Sequence, residues 1–203
     1  MSQSVDNLYR FGLKLFVEPG TSLNGGDCIS IFHRWIQAKS LDRLLIDVAD
    51  YTHVVGGPSV LLVGHEGNLS VDHADGRSGI VCTSKRPEAA GSLPDRIVGV
   101  ACTLFVAASL LESDEAFDGR LRFVPNELQF QVNDRLLAPP GNNSAAALEP
   151  SLQTFMETLY PHQSHHIGGS PSQTGRVKID LKAPEQVSLV SLLERVGQTV
   201  KSQ

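Results

Sequence analysis

SVLLVGHEGNLSVDHADGRSGIVCTS, residues Ser59 to Ser84, decides how this chain is read. It holds three apolar runs, Ser59 to Val63, Leu69 to Asp72 and Gly79 to Ser84. Glycine-bearing turns at Gly64 to Asn68 and Asp75 to Gly79 separate them. Connections this short cannot carry a helical crossover, so successive strands must run antiparallel. The stretch therefore predicts a meander.

Upstream, Leu44 to Ala49 is a short apolar segment interrupted by Asp47 and reads as a further strand. Ile29, Phe32, Trp35 and Ile36 share one helical face, which predicts a helix that Asp27 caps and that ends near Ser40. Tyr9 to Glu18 alternates Leu13, Leu15 and Val17 against Lys14, Phe16 and Glu18, a strand stopped by Pro19-Gly20.

Downstream, Lys85 to Leu93 is a surface loop, and Pro94 opens a helix to Glu112 that is apolar nearly all round. Such a helix is buried on more than one side. Arg120 to Val124 and Leu128 to Val132 read as a hairpin broken by Pro125-Asn126. Ala138 to Glu149 reads as a loop, and Pro150 to Tyr160 as a helix with Leu152, Phe155, Met156 and Leu159 at helical spacing. Arg176 to Lys182 alternates as a half-exposed strand. A last helix is expected from Glu185 to Val196, with Gly197 as its stop.

Strands outnumber helices and come in short-loop pairs, which disfavours a parallel βαβ array. The expected fold is a single α+β domain, a mostly antiparallel sheet (meander plus hairpin) with helices packed on one face. The domain is placed at residues 9–199, with a flexible loop at 161–175 and disordered ends at 1–8 and 200–203.

The composition suits a soluble globular chain: of 203 residues, 41% are hydrophobic and 19% charged. A net charge of −5 argues against a nucleic-acid coat or a polybasic membrane binder. The three cysteines, Cys28, Cys82 and Cys102, are widely spaced and form no CxxC, so reduced thiols and a cytoplasmic setting are expected. The longest uncharged run, Ile97 to Leu111, falls short of the ~18–20 residues of a membrane span. Met1 to Leu8 lacks the basic start and apolar stretch of a secretion signal.

The densest polar cluster is His65-Glu66 between Gly64 and Gly67, followed by Ser70, Asp72, His73 and Asp75. Imidazole and carboxylate are donors for zinc or manganese, which makes His65, Glu66 and His73 candidate metal ligands. No HExxH spacing is present to set two imidazoles on one helix face. Ser70, Asp72 and His73 supply the residue types of a nucleophilic triad, but on one strand His73 points away from the other two.

A second cluster joins Asp47, Asp50, Tyr51 and His53 to Gly56-Gly57, where a carboxylate near an imidazole could serve as general base. A third is Asn133-Asp134-Arg135, a turn in which Arg135 could clamp an anion. His162, His165 and His166 are a histidine-rich tract of adventitious metal affinity. Lys85-Arg86 and Arg176, Lys178 and Lys182 read as solvated basic faces.

With no complete catalytic motif, the expected function is binding, as an accessory or assembly factor for a protein partner or as a small-ligand module, without nucleic acid or membrane. The alternative is a metal-dependent hydrolase built on His65, Glu66 and His73, joined by Asp47 or His53. No cofactor is assigned.

Overall fold

The computed structural model describes residues 5–54, 58–86, 91–139, 142–170 and 175–201. Gly56-Gly57, Pro140-Gly141 and the termini 1–4 and 202–203 lie outside the described residues. The elements are β1 (Phe11–Val17), α1 (Gly25–Ala38), β2 (Leu45–Asp50), β3 (Pro58–Gly64), β4 (Gly67–Asp72), β5 (Gly79–Ser84), α2 (Leu93–Ser113), β6 (Phe123–Val132), α3 (Asn142–Leu159), β7 (His166–Ser170), β8 (Lys178–Lys182) and α4 (Leu189–Lys201). The strands form one antiparallel sheet of eight in the order β2-β3-β4-β5-β1-β6-β8-β7. The expected α+β fold is what the chain adopts, with the meander extended to four strands by β2.

Register sorts the side chains into two faces. Val48, Leu62, Leu69, Cys82, Leu13, Phe130 and Ile179 fall in one line across the sheet. All of these belong to the apolar core or pack against it. The helices cover this face: α1 over β2 and β3, α2 over β5 and β1, and α3 beside β7 and β8, with α4 against α2. One residue along, the line reads Leu61, Ser70, Val81, Lys14, Gln129 and Asp180, on the face the helices leave open.

Asn24, not Asp27, caps α1; its side chain accepts from the Gly26 N–H at 3.0 Å. The helix buries Cys28, Ile31, Phe32 and Trp35 and ends at Lys39 in the left-handed conformation. Ser92 and Asp95 form a reciprocal capping box at the start of α2, with Pro94 in the first turn. Among the described residues α2 alone has the length and apolarity to cross a membrane, and half of its apolar window is buried in the protein.

Several expectations are corrected. Residues 123–132 are one strand, not a hairpin: Leu15 faces Leu128 but Val17 faces Phe123, so β6 carries an irregularity there. Pro125 sits in that irregularity, where the missing N–H costs no ladder bond, and its carbonyl accepts the buried Tyr160 hydroxyl. The expected loop at 138–149 is helical from Asn142, because alanines and the buried Leu148 favour helix and packing holds α3 across Pro150. Gly197 does not stop α4, which buries Val196 and runs on to Lys201. Within the expected flexible loop, His166–Ser170 pairs with β8 as an edge strand. At the N-terminus Val5–Asn7 forms a 3-10 turn and Leu8 is fully buried, so ordered structure begins before residue 9. Cys28, Cys82 and Cys102 are free, and burial pushes the thiols of Cys28 and Cys82 up to about 12 and about 11.

Candidate functional site: a cavity on the polar face of the sheet

The open face carries a buried lysine. Lys14 is 1% exposed at the centre of the sheet. Its ammonium donates to Asp72 Oδ2 at 2.5 Å, to the Arg77 carbonyl at 2.7 Å and to the Ala74 carbonyl at 3.4 Å. Three donors thus meet three acceptors. Two of those acceptors are backbone groups of the β4–β5 connection, residues 73–78, so the lysine ties this connection down onto the sheet. Gly79 makes the approach possible, since a Cβ there would lie 2.3 Å from the Leu15 carbonyl oxygen and 3.1 Å from Lys14 Cε. Burial lowers the Lys14 pKa, against the opposing pull of Asp72.

The connection brings its own side chains over the face. Asp75, in the left-handed region at φ 58°, accepts from the buried Lys178 ammonium. The Arg77 guanidinium lies 3.8 Å from the centre of the Phe16 ring and bonds Glu127 at 2.8 Å. Below it, Gln129 donates to Asp180 at 2.9 Å, and Gln131 donates to Gln129 at 3.0 Å. Between connection and sheet is a cavity of about 200 Å³ lined by Lys14, Phe16, Ala74, Asp75, Arg77, Gln129 and Asp180. That is the liquid volume of about seven waters. Cations and carboxylates both line it, each fixed by a partner.

Of the residues singled out from sequence, Asp72 and Asp75 belong to this site, and the expected metal ligands and the other clusters lie elsewhere. Glu66 pairs with Arg43 at 3.1 Å, and His65 Nδ1 lies 3.4 Å from Arg86. Their turn borders a cavity of about 20 Å³, room for about one water. The flanking glycines serve backbone packing rather than a ligand: a Cβ on Gly67 would lie 1.9 Å from the Thr83 carbonyl oxygen, and one on Gly64 2.6 Å from that of Gly67. His73 stands at the other end of β4, about 20 Å away at strand rise, with Nδ1 2.8 Å from the Ser78 hydroxyl. Ser70 points its hydroxyl at the Val81 carbonyl, so of Ser70, Asp72 and His73 only Asp72 reaches the Lys14 cluster.

Asp47 accepts from the Val48 N–H and Asp50 from the Thr52 N–H, both on the exposed edge strand. The His53 ring packs 6.4 Å from that of Tyr51. Asp134 accepts from the N–H groups of Leu136 and Leu137, a local turn that leaves Arg135 exposed. His165 lies between Gln153 and the Tyr160 carbonyl, and His166 opens β7. Among the described residues no three His, Cys, Asp or Glu side chains converge within reach of one metal ion.

Lys14, Phe16, Arg77, Gln129 and Asp180 were missed as site residues. Their signal was parity. The off-core positions of three strands are Lys14, then Gln129 and Gln131, then Lys178 and Asp180, and pairing sets them side by side. No family model, characterised protein or solved structure matches the chain, so its site is read from these residues alone.

Proposed function

We propose that the protein is a non-catalytic binding module whose ligand is a small polar molecule carrying both an anionic group and hydrogen-bond donors, the size of a free amino acid or smaller. The observation that carries this reading is the cavity of about 200 Å³ with cationic and carboxylate groups on its walls. It is smaller than the ~300–1,000 Å³ of pockets for drug-sized molecules. Every titratable wall group is held by a partner, which suits fixed recognition better than proton transfer or nucleophilic attack. Arg77 supplies the anion contact and Asp180 the acceptor. A reducing, cytoplasmic setting belongs to the same reading, and the three free cysteines support it.

A thermal-shift titration with free amino acids, small hydroxy acids and monosaccharides tests this. At least one is expected to raise the melting temperature in proportion to occupancy. Arg77→Ala should then weaken binding by about ten- to a hundredfold, the worth of a charge-assisted hydrogen bond. A panel without effect, or a shift that both Arg77→Ala and Asp180→Asn leave intact, refutes the reading.

The metal-dependent alternative at His65 and Glu66 makes an opposite forecast, and nothing specific in the arrangement favours it. His65→Ala combined with Glu66→Gln is expected to change stability by less than about 1 kcal/mol, because it removes only the surface Arg43–Glu66 ion pair and the exposed His65–Arg86 contact. Bound metal should be the same before and after. About one equivalent of metal in the wild type, lost in the double variant, would overturn the preference for a binding module.

A further inference from the structure

The sheet ends at β2, and its outer edge carries an unusual surface. Leu44 is 64% exposed, Ile46 56%, Val54 43% and Tyr51 39%. Interleaved with them are Asp42, Asp47 and Asp50, all exposed. The nearby cation, Arg43, is directed to Glu66 and the Gly99 carbonyl. The edge is thus apolar and acidic.

Its backbone is also guarded. Tyr51 donates to the Ser59 carbonyl of β3, so by alternation the Val48 and Asp50 amides face outward. The Val48 N–H is taken by the Asp47 carboxylate at 2.8 Å. Thr52, just past the strand, gives its N–H to Asp50 Oδ1 at 2.8 Å. Hydrogen bonds from Thr52 hold the Asp50 carboxyl below the usual carboxylate range.

We propose that the β2 edge is a docking surface for an extended cationic segment of a partner protein, which adds to the sheet as a further strand. Charge selects the occupant. A second copy of this chain would bring its own exposed Asp42, Asp47 and Asp50 up to this acidic edge, and like charges brought together there repel. Asp47 and Asp50 project from opposite faces of β2, so a lysine or arginine opposite each, three positions apart on the incoming strand, takes up the carboxylate as it leaves the Val48 or Thr52 N–H. Apolar residues at its other positions cover Leu44 and Ile46. Main-chain bonds supply affinity and the side-chain pattern supplies specificity.

The probe is a short blocked peptide of valines with two lysines three positions apart, read by fluorescence anisotropy and by amide exchange of Val48 and Asp50. It is expected to bind and to slow exchange at both amides, while a valine–glutamate peptide and a version with a central proline do neither. Asp47→Asn with Asp50→Asn should weaken the lysine peptide about tenfold. The protein alone should sediment as a monomer. Unchanged exchange with the lysine peptide overturns the proposal, as does equal binding of the proline version. Self-association of the wild type that Ile46→Lys abolishes would assign the edge to a second copy and overturn it as well.

Discussion

Replacing Lys14 with Met is expected to destabilise the protein by about 3–5 kcal/mol, because the change leaves a buried carboxylate without its countercharge. Asp72 keeps only 12% of its side chain in solvent, and the Ala74 and Arg77 carbonyls lose the same donor. Urea unfolding measures the loss. The companion variant Lys14→Met with Asp72→Leu should recover much of it, since two apolar groups need no pairing. A single variant as stable as the wild type would show that the ammonium does not hold residues 73–78 on the sheet. The pH profile gives a second readout. The Lys14 pKa is lowered by folding, so between that value and 10.5 the unfolded chain holds a proton that the folded chain has released. Stability contributed by this group therefore rises with pH through that interval. Subtracting the Lys14→Met profile from that of the wild type should expose this rise.

Leu104→Ala should cost about 2–5 kcal/mol. Leu104 is fully buried in the middle of α2, between the sheet and the helices packed above it. Neighbours Ala101, Phe105 and Ala108 are fully buried too, which leaves little freedom to collapse into the gap. The denaturation midpoint should fall with the m-value unchanged. The melting temperature should drop by roughly 5–15 °C. A midpoint within error of the wild type would place α2 at the periphery and contradict the core built around it.

Lys14 and Leu104 differ in how far the sequence exposed them. Leu104 sits in a run apolar on all sides, and a helix of that composition has to be buried whatever surrounds it. The same local logic made the meander of Ser59 to Ser84 legible, since short glycine turns leave adjacent strands no arrangement but antiparallel. It failed where a distant partner overrode the local pattern. Pro125-Asn126 has the chemistry of a turn, yet β1 pairs with Phe123 before it and with Leu128 after it, β8 joins from Glu127, and Tyr160 reaches the Pro125 carbonyl, so the strand runs through. His166 to Ser170 has the composition of a loop and becomes a strand because β8 offers it a ladder.

The site shows the same division. Sequence pointed to His65-Glu66 because chemically rich residues stood together along the chain. The glycines on either side open space that the neighbouring backbone fills. Lys14 lies 58 residues from Asp72, and Lys178 lies 103 from Asp75. Sequence determined that Lys14, Gln129 and Asp180 would each stand opposite the apolar face of its own strand, because side chains alternate with a period of two. Only the order of strands brought those positions into one row, and only the fold of residues 73–78 over that row walled the cavity on that side. Strand order is set by long-range pairing and burial of the common core, which no local stretch of the chain encodes.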